Sequence, residues 1–145
     1  MSNVKVGDRH ESKTAFDNAY YKIFDDSLKL TELKFGATAE QKEQYSDFLD
    51  VRCNKIHSIV DDIGTHIRIA NSIYPHFELE LAERRLHQEK AIGLCFDLLT
   101  KYHNTMKFLK VKDDKYVEEM KHIAHEINCL RSWKDSDKKR FTNLG

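Results

Sequence analysis

A single proline divides the longest helical pattern in this sequence. Pro75 is the only proline among 145 residues, and on each side of it apolar side chains recur every three or four residues for about nine turns of helix. This period places the apolar side chains on one face of an α-helix. We therefore predict one helix from about residue 39 to 72 and a second from about 76 to 110, with Pro75 in the tight turn of an antiparallel hairpin.

Near-heptad spacing continues along both arms of this hairpin. Gly64 lies inside the first arm, but one interior glycine costs a helix only about 1 kcal/mol and the stripe resumes in phase beyond it. The stripe of the first arm is Tyr45, Leu49, Cys53, Ile56, Val60, Ile63, Ile67, Ala70 and Tyr74. The stripe of the second is Phe77, Leu81, Arg84, Gln88, Ala91, Cys95, Leu98, Tyr102, Met106 and Leu109.

Two shorter helices flank the hairpin. The first is capped by Ser12 or Thr14 and stopped by Gly36, and Thr38 with Gln41 then has the form of a capping box. The last is capped by Asp113 or Asp114 and extends through Trp133. These elements predict an all-α, antiparallel four-helix bundle with a long central helical hairpin, in one domain over residues 1–145. Residues 1–13 form a polar N-terminal arm in this prediction, and 135–145 a flexible basic tail.

Composition supports helices and limits the function classes. Five glycines and one proline are too few for the turns of most sheet architectures. Lysine and arginine number 24, as do aspartate and glutamate, so the whole chain does not have the basic excess typical of nucleic-acid-binding proteins. Three widely separated cysteines fit reduced thiols, and no stretch resembles a signal peptide or membrane span. We expect a cytoplasmic protein without a membrane partner.

Catalytic and metal-binding patterns are weak. Glu119 and His122 form the only Glu-x-x-His pair, whereas a di-iron bundle needs two such pairs. His122 and His125 stand three residues apart and can be read as ligands of one divalent ion or, in the reading we favour, as solvated surface side chains. No glycine-framed nucleophile or phosphate-binding loop is present. We predict a protein that is not an enzyme, with no metal and no cofactor.

Two polar residues interrupt the stripe of the second arm. Arg84 and Gln88 lie one helical turn apart among apolar positions. Unpaired polar groups are costly inside a bundle, so these side chains are predicted to hydrogen-bond a partner helix or chain and to specify packing. The alternative is that the helix rotates locally and both point to solvent.

The clearest local excess of positive charge lies near the C-terminus. From Arg131 to Arg140 there are five cations against Asp135 and Asp137, and Trp133 lies among them as either a stacking surface for a base, an anchor for a partner helix, or a side chain that closes the bundle. The candidate nucleic-acid-binding residues are Arg131, Lys134, Lys138, Lys139 and Arg140.

A resemblance covers about half the chain, roughly residues 66–137. The run Arg84 to Ile92, the preceding run Arg68 to Pro75, and Glu126 through Trp133 to Asp137 are similar to the four-helix-bundle accessory variability determinants of bacterial diversity-generating retroelements. The resemblance implies a non-catalytic accessory subunit that assembles as a homo-oligomeric ring, a pentamer in the family's known form. It also implies binding to the retroelement reverse transcriptase and its template RNA, in support of error-prone synthesis of complementary DNA.

A different class of function stays open at this point. The neutral charge of the chain also fits a structural or protein-interaction bundle of a mobile element that never contacts nucleic acid. Binding to RNA that weakens steeply with salt would favour the first class, and no binding at any salt concentration would favour the second.

Overall fold

A computed structural model describes residues 15–112 and 114–145, and within these residues it contains helices and no strand. The all-α prediction is confirmed. None of these helices is long and apolar enough to cross a bilayer. The predicted arm 1–13 and the predicted caps Ser12, Thr14 and Asp113 lie outside the described residues. The helices are α1 (Ala15–Glu32), a 3-10 turn (Lys34–Gly36), α2 (Ala39–Gln44), α3 (Ser46–Ser72), α4 (Glu78–Leu109) and α5 (Val117–Arg140).

The four long helices form a bundle in which each is antiparallel to the next. Contacts are made between α1 and α3, α3 and α4, α4 and α5, and α5 and α1, which closes a ring of four helices around one core. Two side-chain contacts show that α1 and α3 run in opposite directions. Tyr20, early in α1, donates to the carbonyl of Val60 at 3.0 Å. Thr31, near the end of α1, is contacted at 3.7 Å by the Cys53 thiol, which lies seven residues nearer the start of α3.

The connection between α1 and α3 contains the predicted glycine stop and the predicted helix cap. Gly36 takes a left-handed φ of 78° after α1 has ended. The Thr38 hydroxyl accepts from the Gln41 N–H at 3.0 Å while the Gln41 side chain accepts from the Thr38 N–H at 2.9 Å, so the capping box is confirmed. The single helix predicted from 39 to 72 is interrupted at Tyr45, whose φ and ψ are −112° and 29°, and then continues to Ser72.

The turn between α3 and α4 is longer than predicted. Pro75 lies in the turn as predicted, but three residues before α4 instead of directly before it, because Phe77 is the extended residue that precedes the helix. The Glu80 carboxylate accepts from the backbone N–H groups of His76 and Phe77 at 2.8 and 3.1 Å. These bonds satisfy amides at the helix start that have no partner within the helix.

The predicted tail at 135–145 is wrong. Helix α5 begins at Val117 without a side-chain cap and runs past Trp133 to Arg140. Asp137 and Phe141 are buried, and the carbonyl of Gly145 accepts from the N–H of Glu78 at 3.0 Å. The segment is held in place because its polar and aromatic side chains have partners at the start of α4. The many charged residues of the segment give no sign of these contacts in the sequence.

Gly64 packs where α1 crosses α3. A Cβ at this position would lie 2.5 Å from the Tyr20 hydroxyl oxygen, so the glycine admits the tyrosine ring between the two helices. The core on either side consists of aliphatic and aromatic side chains from all four helices. Its largest fully buried members are Ile23, Phe35, Leu49, Ile56, Ile59, Ile63, Ile67, Leu98, Tyr102, Leu109, Tyr116 and Ile123.

Candidate nucleic-acid interface

The five candidate cations lie on the last three turns of α5. Arg131, Lys138, Lys139 and Arg140 are exposed and Lys134 is half-buried. Of the two carboxylates in the segment, Asp135 is exposed and approaches Lys138 at 4.0 Å, whereas Asp137 is 1% exposed. The surface of this segment therefore carries five cations and one carboxylate, a stronger positive excess than the sequence count.

The cations do not share one face. Arg131, Lys134 and Lys138 are spaced three and four residues apart and form one stripe along α5. This stripe borders α4, because the Arg131 guanidinium lies 5.4 Å from the ring centre of Phe96. Arg140 lies on another side of the helix, 4.9 Å from the ring centre of Phe141. The structure thus brings three of the candidates together and separates the fourth and fifth from them.

Arg84 and Gln88 meet Asp137 inside the bundle. Arg84 donates to both carboxylate oxygens, from Nε at 2.7 Å and from Nη2 at 3.0 Å, and Gln88 Nε2 donates to Oδ2 at 2.8 Å. Arg84 also donates to the carbonyl of Ile73 at 2.8 Å. The predicted pairing of Arg84 and Gln88 with a partner helix is confirmed, and the rotation of both side chains to solvent is excluded.

Asp137 is not among the site residues predicted from the sequence, where it counts as a surface anion. A signal was available: Asp137 follows Leu130 by seven residues and Trp133 by four, which is the spacing of the core face. A bidentate pair between a planar guanidinium and a carboxylate has a fixed geometry. It therefore fixes the register of α5 against α4.

Trp133 is enclosed by its own chain. Phe16 stacks on the indole with ring centres 3.9 Å apart and planes 6° apart. The Arg84 guanidinium lies 5.1 Å from the same ring centre, and since Phe16 fills one face, Arg84 occupies the other. The indole has no free face for a base. Its role is to close this end of the bundle, one of the readings that the sequence left open.

A groove of about 680 Å³, lined by both polar and apolar side chains, opens beside this aromatic stack. Arg140 lies at its wall, so the groove and the cations belong to the same end of the molecule. Amide, hydroxyl and guanidinium groups around it can donate to anionic or hydroxylated ligands. Its lining is Ala15, Phe16, Asn71, Arg84, His125, Asn128, Cys129, Ser132, Trp133, Ser136 and Arg140.

A second buried carboxyl lies three turns earlier on α5. Glu126 is fully buried, and neither of its oxygens has a hydrogen-bond partner among the described residues. Burial, with a smaller contribution from the charge of Asp17, raises the pKa of Glu126 to about 9. The side chain is therefore a neutral acid at pH 7, and the sequence did not reveal it.

Four of the described histidines, His66, His87, His122 and His125, each contact one other polar or ionisable side chain. His122 Nδ1 lies 2.6 Å from an Asp26 oxygen, so it joins α5 to α1 instead of standing in solvent as favoured. His125 contacts the Cys129 sulfur at 3.5 Å. His66 and His87 approach Nδ1 to Nδ1 at 2.9 Å, and burial followed by the charge of His87 lowers the pKa of His66. Within residues 15–112 and 114–145, no group of three or more potential ligands is arranged to hold a metal ion.

Comparisons with protein-family models, with curated proteins and with solved structures found no match. The likeness to accessory variability determinants therefore rests on the sequence runs given above. The geometry of the bundle and of the α5 cations has to support any functional proposal independently.

Proposed function

We propose that this chain is a non-catalytic accessory subunit that binds RNA phosphates through the C-terminal end of α5 and presents that RNA to a reverse transcriptase. The observation that carries the proposal is the burial of Asp137. Because Arg84 and Gln88 bind this carboxylate inside the bundle, it does not neutralise the exposed cations of the segment.

The stripe Arg131, Lys134 and Lys138 supplies the phosphate contacts in this proposal. Its members lie on consecutive turns of a helix whose position is fixed by the Arg84–Asp137 pair, so the three side chains extend from a fixed line on the helix surface. A line of cations suits a nucleic-acid backbone, where contacts to phosphates position the partner without reading its sequence. Since Trp133 is enclosed, base stacking on it has no part in binding.

The test is a charge reversal with a matched control. The variant Arg131→Glu, Lys134→Glu and Lys138→Glu removes three phosphate contacts, so the dependence of log K on log salt is expected to fall by about 2 to 3. The control reverses three exposed lysines on other helices, Lys22, Lys29 and Lys55, with the same change in net charge. Filter binding to structured RNA across salt concentrations measures both, and circular dichroism checks that each remains helical.

Equal loss of RNA affinity in the two variants would reject the α5 site, since net charge alone would then explain binding. Absence of RNA binding by the unmodified chain at low salt would reject the proposal. In that case the interaction bundle without nucleic-acid contact becomes the better function, and the exposed apolar side chains Leu79 and Leu86 on α4 favour it. Co-purification with the reverse transcriptase, lost in the α5 variant alone, tests the polymerase partner. The ring of five copies, which the resemblance implies, stays a prediction, and it is an alternative to the two-fold pairing of α4 proposed below.

A further inference from the structure

Helix α4 carries apolar side chains on its outer face as well as on its core face. Leu79 and Leu86 are 81% and 49% exposed, and they stand seven residues apart, with Gly93 a further seven residues along. Residues at this spacing lie on one side of a helix. The side is the outer one, since a Cβ added at Gly93 would meet nothing within 4 Å.

Gly93 is costly in its own chain and has no visible use there. A glycine in the middle of a helix destabilises it by roughly 0.5–1 kcal/mol relative to alanine. At Gly64 the missing side chain makes room for Tyr20, but nothing lies within 4 Å of a Cβ added at Gly93. The φ angle of Gly93 is not positive either. A glycine on an exposed apolar stripe is explained when the side chain of another molecule packs directly on the helix backbone.

Charged side chains border the stripe in a self-complementary order. Glu83 and Lys90 lie on one flank, and Arg85 and Glu89 lie on the other. None of the four makes an ion pair within the part of the chain that the structure describes. An antiparallel pair of identical helices related by a two-fold axis brings the same flank of each copy together, so each flank supplies both the acid and the base.

The register that pairs opposite charges on both flanks also packs the apolar stripes of the two helices against each other. With the axis at Leu86, Leu79 lies seven residues before it and Gly93 seven residues after it, so the leucine of each copy packs on the glycine of the other. Glu83 then lies within one residue of the level of Lys90 of the second copy, and Arg85 within two residues of Glu89. These offsets are about 1.5 and 3 Å along the axis, within reach of long side chains.

We propose that two copies of this chain pair through the outer face of α4, antiparallel about a two-fold axis at Leu86, with Leu79 of each copy packed on Gly93 of the other. A parallel pair would set the two glycines opposite each other and leave a void between helices held apart by leucines. The proposal does not depend on RNA binding, because it uses α4 and not the cations of α5.

Disulfide cross-linking tests the register. Leu86→Cys is expected to form a disulfide-linked dimer under mild oxidation, because this residue meets its own copy at the axis. Leu79→Cys alone is expected not to, because the two copies of residue 79 would be about 21 Å apart along the helices, whereas a disulfide needs Cα atoms within about 7 Å. A mixture of Leu79→Cys and Gly93→Cys chains should cross-link to each other. The unmodified chain controls for its half-buried Cys129.

Sedimentation velocity tests the contact without cross-linking. Leu86→Lys is expected to weaken dimerisation at least about tenfold, whereas Val51→Lys, at an apolar α3 residue that is 69% exposed, should leave it unchanged. Glu83→Lys should weaken the dimer, and Glu83→Lys with Lys90→Glu should restore it, because the reversed pair is again complementary. Since all these side chains are exposed, the bundle should fold in each variant, which circular dichroism checks.

Three outcomes would overturn the proposal. The first is an unmodified chain that stays monomeric at every accessible concentration, and the second is an assembly of five chains. The third is self-cross-linking of Leu79→Cys as efficient as that of Leu86→Cys, which indicates parallel or unspecific pairing. Each leaves the RNA-binding proposal untouched, since that is tested by the α5 variant.

Discussion

Two buried carboxyls on α5 lie in contrasting surroundings. Asp137, near the end of the helix, accepts three hydrogen bonds from Arg84 and Gln88. Glu126, three turns earlier on the same face, has no partner for either oxygen in the part of the chain that is described. Both are almost completely shielded from water. Burial alone therefore does not determine whether a carboxyl group is charged. The hydrogen-bond donors that surround the group determine it.

The two surroundings suit different tasks. At the Asp137 end, an ion pair fixes the register of α4 and α5 and keeps the Asp137 carboxylate away from the exposed cations, so Asp135 is the carboxylate of the segment that meets one of them, Lys138. At the Glu126 layer, a neutral acid near Tyr20 and Cys95 has two oxygens without hydrogen-bond partners among the described residues. Its raised pKa makes stability depend on pH. Substitutions in each region should reveal this difference.

Removing Asp137 is expected to have the largest effect. Asp137→Ala leaves the Arg84 guanidinium buried without a counter-charge, which should lower the free energy of unfolding by about 3–5 kcal/mol. Replacing both partners, Arg84→Met with Asp137→Leu, should recover most of the loss, because no buried charge remains. Denaturation in urea measures both. A single variant as stable as the double would show that the pair does not hold the two helices.

Glu126 should give the chain an unusual pH dependence. Its pKa is about 9 in the fold and about 4.3 in an unfolded chain. Between these values the folded state binds one proton more than the unfolded state, so the unfolding free energy should fall by up to about 1.4 kcal/mol for each pH unit gained. The stabilisation by the proton is fully present below pH 4.3 and is lost as the pH rises through 9.

Glu126→Met removes both the acid and its unsatisfied oxygens. We expect it to stabilise the bundle modestly at low pH, by about 1–3 kcal/mol, and by increasing amounts as the pH rises toward 9. Thermal unfolding followed over this range measures the slope. An unchanged slope in the methionine variant would assign the pH dependence to other groups.

The sequence predicted what depends on neighbours in the chain. Helix periodicity predicted the hairpin, and the local chemistry of Gly36 and of Thr38 with Gln41 predicted the turn and the cap. Arg84 and Gln88 were recognisable because polar side chains on an apolar stripe need partners. Each of these features depends on residues a few positions apart, so a single sequence is enough to predict it.

What could not be predicted depends on contacts between helices. Asp137 is 53 residues from Arg84 in the chain, and no local pattern shows that one neutralises the other. The segment after Trp133 therefore read as a charged tail. Glu126 likewise is of a residue type that is usually exposed, and only the packing of α5 against α1 and α4 buries it. The candidate cations were identifiable from the sequence, but the separation of Lys139 and Arg140 from the stripe was not, because the prediction ended the last helix near Trp133 and the helix runs to Arg140.

The smallest expected effect concerns Gly64, which admits Tyr20 beside the Glu126 layer. Gly64→Ala places a Cβ 2.5 Å from the Tyr20 oxygen and 2.7 Å from its Cζ, so the ring must move and its bond to the Val60 carbonyl is strained or lost. Overpacking of this kind costs about 1–3 kcal/mol, and the better helix propensity of alanine returns up to about 1 kcal/mol.

The matched control for this substitution is Gly93→Ala, measured in dilute solution where the chain is monomeric. Nothing lies within 4 Å of the added Cβ there, so only helix propensity acts and the variant should be more stable by about 0.5–1 kcal/mol. Opposite signs for the same substitution in two helices would show that close packing around Tyr20 sets the requirement at Gly64. If both substitutions stabilise, Tyr20 can move freely, and the layer around Glu126 is less tightly packed than the Asp137 end of the bundle.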